Sequence, residues 1–148
     1  MSKRAFSREE FDSIYNRVPR LTVEVVARTV GGIILTKRAM EPCEGMWHIP
    51  GGTVWMRERL AETVARVADD ELGVSVEIQD FLGYIEYPKL AAAGYDGWPV
   101  GLVFDTNVTG GVPRGSEQGE EIGYFTKVPP HTIPEQADFL NERVFKNT

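Results

Sequence analysis

The apolar positions of this chain change their period several times, and each change marks an element. Near the N-terminus Phe11, Ile14, Tyr15 and Val18 recur at helical spacing. Ser7 and Glu10 have the spacing of a capping box, Phe6 and Phe11 that of a hydrophobic staple, and Pro19 follows the helix end. Residues 21–27 are β-branched and apolar and predict a strand. Gly31-Gly32 reads as a turn and residues 33–37 as the return strand. Residues 41–45 read as loop, and residues 46–49 as a short extended piece ending at Pro50-Gly51-Gly52. A second helix is expected over residues 59–72, stopped by Gly73 as its C-cap. Residues 74–77 and 81–87 look like strands, and residues 91–99 form a loop rich in Gly and aromatics. Residues 100–108 carry so little polarity that their strand is expected to be central. A polar connection over residues 110–121, a short strand over 122–126 and a helix over 134–145 complete the chain. Hairpins outnumber regular βαβ units, and no repeat or linker interrupts them. The expectation is an α+β fold, a mixed sheet between helices.

Bulk properties narrow the function classes. A chain of 148 residues suits one domain with a real core. The net charge of −6 argues against general binding to nucleic acid or to an anionic membrane. It leaves an anionic small substrate open, because a metal neutralises phosphate locally. The single cysteine, Cys43, cannot form an internal disulfide, so a reducing compartment is expected. The charged N-terminus does not resemble a signal peptide, and no apolar run is long enough to span a bilayer. The expected location is cytoplasmic, with no membrane or nucleic-acid partner.

The second helix carries the chemistry. At 3.6 residues per turn Leu60, Val64, Val67 and Glu71 fall on one face. A carboxylate on an apolar face is expensive unless a cation or metal meets it. Glu71 therefore either ligates a metal, bends out to solvent near the helix end, or pairs with Arg66. Asp70 is a ligand, directly or through water, or a solvated acid. Glu58 lies just before the helix, where the N-terminal dipole favours a carboxylate. Arg66 orients a carboxylate, contacts phosphate or makes an ordinary ion pair. Gly51-Gly52 makes a tight turn or lets a backbone carbonyl approach a metal. Lys37 and Arg38 can hold phosphate or serve as surface charges. Oxygen donors of this kind suit Mg²⁺, with Mn²⁺ as the alternative.

Gly52, Glu58, Arg66, Asp70, Glu71 and Gly73 stand at the intervals of the Nudix box, and the chain resembles Nudix hydrolases over that stretch. The resemblance implies a single Nudix domain over residues 1–148, with its box at 52–74, folded as an α/β/α sandwich around a central mixed sheet. The box has a glutamate directly after its arginine, and here that position is Val67. With two carboxylates in the patch instead of three, one essential Mg²⁺ is expected rather than a cluster. Trp47 shortly before Pro50-Gly51-Gly52, and the ending Glu71-Leu72-Gly73, look like the GDP-mannose mannosyl hydrolase branch.

That branch implies a metal held by Glu71, the Gly52 carbonyl and a loop glutamine, here Gln118. It also implies a loop histidine as general base, but Gly119 follows Gln118 and this loop has no histidine. Other Nudix branches take a loop glutamate, which makes Glu120 and Glu121 the candidates. A carboxylate acts as a base when a dry setting and nearby charge raise its pKa. His48 and His131 are the only histidines. His48 is read as a partly buried structural residue within reach of the site, and His131 as part of a turn. Thr53 stands where the branch has an arginine. The resemblance implies hydrolysis of a nucleoside diphosphate linked to another group, a nucleotide sugar first. Attack at carbon and attack at phosphorus both stay open. A nucleotide-binding module with weak or no catalysis, and a triphosphate pyrophosphohydrolase, are the alternatives. A homodimer is expected, since dimers are common in the family.

Overall fold

The computed structural model describes residues 5–39, 43–116 and 120–146. Helix α1 spans Arg8–Tyr15. Strands β1, Arg20–Thr29, and β2, Gly32–Lys37, form a hairpin, followed by β3, Trp47–His48, and β4, Gly51–Thr53. Helix α2 covers Leu60–Val67 and runs into a π-helical turn, Ala68–Leu72. Strand β5, Ser75–Glu86, helix α3, Pro88–Ala92, strands β6, Pro99–Gly110, and β7, Glu121–Phe125, and helix α4, Pro134–Arg143, complete the order. The strands build one mixed sheet in the order β3-β2-β1-β6-β5, with β4 also paired to β1 and β7 to β2. The layers are those expected, with α2 on one face and α4 on the other. Among the described residues no helix is long and apolar enough to cross a membrane.

Alternation along β1 explains the two faces. Val23, Val25 and Ala27 pack with Ile34, Val64, Val67, Leu72 and Phe104 under α2. Val26, on the other face, joins Ile33, Leu35, Ile49, Ile85, Val103 and Leu140 under α4. Each such buried aliphatic side chain contributes about 1.5–3 kcal/mol of transfer free energy. The strand expected to be central, now β6, lies between β1 and β5 and pairs in parallel with β1. The two strands expected over residues 74–87 are one, β5, whose pairing with β6 shifts register at three points. Polar Gln79 and Asp80 are tolerated there because β5 is at the sheet edge, where one side of the ladder meets solvent. Helix α3 overlaps the start of the expected 91–99 loop. Its first amides, Lys89 N and Leu90 N, donate to Glu135 Oε2 of α4 at 2.6 and 3.3 Å. That cap is supplied across the fold, so no local signal announced it.

One charged residue sits inside this core. Glu24 on β1 is buried on the α4 face. Tyr87 Oη and Gln136 Nε2 both donate to its Oε1, at 2.5 and 2.6 Å, and its Oε2 has no partner. The carboxyl lies so close over Gly101 of β6 that a Cβ there would overlap Oε2. Burial, outweighing those hydrogen bonds, pushes the Glu24 carboxyl up to about 7.

Two predictions concern the core. The Glu24 pKa is raised above its unfolded value of 4.5, so between about 4.5 and 7 the folded state holds a proton that the unfolded state has lost. Stability is therefore fullest below that window and falls as pH rises through it, by on the order of 3 kcal/mol. Denaturant unfolding at pH 5 and pH 8 in chelator should show this decline. Glu24→Gln should flatten it; a variant with the wild-type slope would locate the proton elsewhere. Val67, only 1% exposed, lies in the α2 core with its Cγ2 where a Cβ on Gly52 would come within 2.9 Å. Val67→Glu should thus cost about 3 kcal/mol in the metal-free protein. An unchanged melting temperature would mean that a carboxylate at this position reaches water.

Candidate active site

The edge of β1 changes partner in its middle. β4 pairs with Thr22, Val23 and Glu24, whereas β2 pairs with Ala27, Arg28 and Thr29. Near this change lie the segment Trp47–Thr53, the end of α2, the far end of β2, Arg114, Glu120 and the start of β7. The sequence candidates converge there unevenly.

Glu58 and Arg66 are engaged with each other. Arg66 Nε donates to Glu58 Oε2 at 2.8 Å and Nη2 to Glu58 Oε1 at 2.9 Å, while Nη2 also reaches the Thr53 carbonyl at 2.6 Å. Glu58 Oε1 further accepts from Trp55 N and Thr63 Oγ1. The Arg66 hydrogen bonds dominate and hold the Glu58 carboxyl down at about 2. Charge-assisted bidentate pairs of this kind fix geometry firmly. Both residues were expected among the catalytic set. Their contacts make them a latch that ties the strand after Gly52 to α2, with the paired donors spent on that task.

Asp70 and Glu71 lie in the π-helical turn. The expected helix over residues 59–72 exists, but its last stretch is wound with i→i+5 bonds, so Val67, Asp70 and Glu71 are not the regular i, i+3, i+4 patch that the sequence suggested. Val67 stays in the core while Glu71 is only half-buried. The turn ends at Gly73, whose left-handed φ of 67° is the expected C-cap. Among the described residues no hydrogen bond reaches the Glu71 carboxyl. Burial raises its pKa, and Glu120 and Asp70 raise it further, against smaller opposing effects of His48 and Arg114.

The two loop carboxylates separate. Glu121 opens β7, opposite Lys37 in the ladder, and is exposed. Glu120 turns inward beside His48, with Oε1 3.8 Å from Nε2 and both side chains 12% exposed. His48 Nδ1 lies 3.0 Å from the Ile49 carbonyl, which only accepts, so the network assigns the hydrogen to Nδ1. Nε2 then accepts from Thr36 Oγ1 at 2.9 Å in the neutral ring. His48 is thus a structured part of the site and more than a packing residue. With a proton also on Nε2 the ring holds the Glu120 carboxyl below its ordinary range, and Arg38 acts in the same direction. The raised pKa expected for a base applies to Glu71 instead: burial raises it and Glu120 and Asp70 add to that, whereas His48 and Arg38 lower Glu120.

Lys37 Nζ lies 5.8 Å over the Trp47 ring, and Arg38 is half-buried near Glu120. Gly52 is paired with Val23, which places its backbone at the crevice. Gln118 and Gly119 lie outside the described residues. His131 has a left-handed φ of 61° and sits in the turn expected for it, its carbonyl accepting from Trp47 N at 2.8 Å. One contributor went unnoticed in the sequence. Arg114 donates to the carbonyls of Asp69, Asp70 and Gly115 at 3.3, 3.4 and 2.8 Å, and its own amide donates to Leu72 O at 2.9 Å. It clamps its own stretch of chain onto the negative end of the helix. Its only signal was being the single cation in a Gly- and acid-rich stretch.

The donors suit a hard divalent cation. Glu71 is a half-buried carboxylate with no hydrogen bond among the described residues and two carboxylates raising its pKa, an excess of negative charge that a cation relieves. The described residues contain no group of three or more His, Cys, Asp or Glu able to hold a metal by themselves. Mg²⁺ typically uses one or two protein carboxylates and completes its shell with water and phosphate.

Known proteins share this sequence pattern and fold. The low-salt glycan biosynthesis protein Agl8 of Haloferax volcanii is 44% identical over 79 residues, which are 53% of this chain and 51% of that protein, so the match spans about half of that relative's length. An ADP-ribose pyrophosphatase of Methanocaldococcus jannaschii is 26% identical over 129 residues, covering 87% of this chain and 72% of that one. The crystal structure of a MutT NUDIX hydrolase from Burkholderia pseudomallei superposes with a TM-score of 0.74 at 28% identity, over 86% of this chain and 98% of the other. The NUDIX domain model matches residues 18–147, which takes in every element from β1 to α4 and the whole crevice, and the chain belongs to the Nudix family of hydrolases.

Proposed function

We propose that this Nudix hydrolase cleaves a nucleoside diphosphate linked to a second group, a nucleotide sugar in the first instance, in a Mg²⁺-dependent reaction. The observation that carries the reading is the proximity of Glu71 and Glu120: Glu120 lies close enough to raise the half-buried Glu71 carboxyl, while His48 stands beside Glu120. Nudix hydrolases generally use divalent metals such as Mg²⁺ or Mn²⁺. Here Glu71, Asp70 and the Gly52 carbonyl would hold the ion, with Gln118 as the further donor that the family resemblance supplies. When bound, the ion screens the pyrophosphate and polarises the bond that breaks.

The chain's own residues perform the rest. Glu120 accepts the proton of the attacking water. Its lowered pKa leaves it ionised at neutral pH but makes it a weaker base than a raised carboxylate, and His48 fixes it from one side. Lys37 and Arg38, at the end of β2, supply positive charge for a phosphate. The Glu58–Arg66 latch holds the backbone beyond Gly52 in register. Glu121, exposed in the β7 ladder, takes no part in this scheme. The inward carboxylate and the ADP-ribose pyrophosphatase relative favour attack at phosphorus, whereas the Trp47 and Glu71-Leu72-Gly73 patterns favour attack at the sugar carbon.

Phosphorus-31 NMR on nucleotide sugars, ADP-ribose and nucleoside triphosphates with Mg²⁺ tests the reading. A nucleoside diphosphate as product places attack at carbon; a nucleoside monophosphate with a sugar phosphate places it at phosphorus. Binding without turnover across the panel would replace the hydrolase reading with a nucleotide-binding module. Glu71→Gln should lower the Mg²⁺-dependent rate by about 100-fold or more. It should also raise the melting temperature in chelator, because it removes a half-buried charge that its neighbours repel. Retained turnover would sink the ligand assignment. Glu120→Gln should reduce kcat by about 100-fold or more. In the wild type the acidic limb of kcat/KM should lie below the ordinary carboxylate range, since the Glu120 pKa is lowered. A rate already falling at pH 6 would assign the proton to another group.

A further inference from the structure

Glu24 is a charged group that the proposed reaction does not use, and its surroundings are costly. One carboxylate oxygen is buried without a partner and lies over Gly101 of β6, while Gly51 of β4 lies against the Glu24 Cγ. What the carboxyl does for the fold is visible in its partners. Gln136 on α4 donates from Nε2 to Glu24 Oε1 at 2.6 Å and to Tyr87 Oη at 2.9 Å. Tyr87 Oη donates onward to the same Glu24 oxygen at 2.5 Å. Glu24 Oε1 accepts both bonds, whether or not the unpartnered Oε2 carries a proton, so Glu24 sets which end of the Gln136 amide faces it. The amide oxygen is thereby turned the other way, where it accepts from Ile49 N at 2.6 Å.

Ile49 occupies the connection between His48 and Gly51-Gly52. Each of its polar groups is committed. Its amide goes to Gln136, and its carbonyl accepts His48 Nδ1 at 3.0 Å. Pro50, which has no amide hydrogen, accepts from Val25 N at 2.8 Å through its carbonyl. The same segment is tied one step earlier, where Trp47 N donates to His131 O and Ile133 N to Trp47 O. An unbroken series of hydrogen bonds therefore runs from Glu24 and Tyr87 through Gln136 and Ile49 to the His48 ring. The backbone that leads to the Gly52 carbonyl is held in the same place.

We infer that Glu24, Tyr87 and Gln136 are positioning residues for the metal site, acting from the opposite face of the sheet by fixing the Ile49–Gly52 backbone and the His48 ring. Their effects on metal binding and on the reaction rest on the site and function proposed above, whereas their effect on the segment does not. Partners that orient ligands without touching the metal typically account for about 10- to 100-fold in metal affinity or activity.

The test compares Gln136→Met and Tyr87→Phe with Leu140→Ala, a cavity in the same helix and core that touches none of these hydrogen bonds. Three quantities are read in the full chain: the amide and His48 ring resonances of residues 48–52, the affinity for Mn²⁺ alone, and kcat against KM. Gln136→Met should shift the amides of residues 48–52, weaken Mn²⁺ by about tenfold or more and lower kcat with little change in KM. Tyr87→Phe should move the same quantities less, in the same direction, and it carries the test should Gln136→Met not fold. Leu140→Ala should lower the melting temperature while leaving the resonances and the Mn²⁺ affinity at wild-type values. Unmoved amides and unchanged Mn²⁺ affinity in Gln136→Met and Tyr87→Phe would overturn the inference, as would equal losses in Leu140→Ala. A wild-type protein that binds Mn²⁺ but turns over no substrate would remove the proposed function and leave this inference decided by the spectra and the affinity.

Discussion

The structure depends on β1 satisfying two different partners along a single edge. Its other edge is paired in parallel with β6 for nearly its whole length, which makes it rigid. On the free edge, β4 takes Thr22 to Glu24 and β2 takes Ala27 to Thr29. Two antiparallel partners cannot occupy one edge without a place where one ends and the other begins. Backbone polar groups at such a place have to be satisfied by something other than a ladder. Val25 N finds the Pro50 carbonyl, and Ile49 N finds a glutamine side chain. The crevice holding the candidate catalytic groups follows from this change of partner.

Carboxylates around that crevice fall into two electrostatic kinds. Glu58 is fully paired and strongly acidic, and its work is done in holding Arg66 and Thr53. Glu71 is the reverse, raised by burial and by Glu120 and Asp70, with no hydrogen bond among the described residues. Glu120 stands between them, lowered by His48. A fold that satisfies one acid so thoroughly and leaves another unsatisfied within the same helical motif has localised its instability at one place. Perturbed groups of this sort concentrate where ligands bind, since the ligand supplies the missing interaction. The π-helical turn contributes by separating Val67, committed to the core, from Asp70 and Glu71.

The opposite face of the sheet is coupled to the site through side chains. Helix α4 packs by Leu140 and its neighbours, an ordinary aliphatic contribution. Gln136 on the same helix connects the core to the backbone beside His48. Helix α4 thus does two separable things, adding buried area and setting the position of a strand end. Arg114 does something comparable from the loop side, bracing its own stretch against the end of the helical segment that carries Glu71. Both braces use donors and acceptors aimed at backbone groups, which resist displacement more than apolar contacts because their geometry is directional.

Local pattern alone determined the mixed sheet between helices, the central β6, the capping box at Ser7 and Glu10, and Gly73 as the end of the helix. These are short-range properties: period, capping and the left-handed tolerance of glycine act over a few residues. The intervals from Gly52 to Gly73 likewise identified the helix that carries Glu71, since one helix sets the spacing of its own residues. The pairing of Glu58 with Arg66, the inward turn of Glu120 against the outward one of Glu121, and the place of His48 in the site were decided by tertiary structure. So were the burial of Val67 and the link from Glu24 to Ile49. Gln136 and Glu24 are separated by 112 positions yet meet at 2.6 Å, and neither residue type declares a partner by its neighbours. A charge or an amide acquires its role from what surrounds it in space, and only packing the two faces of the sheet supplies those surroundings.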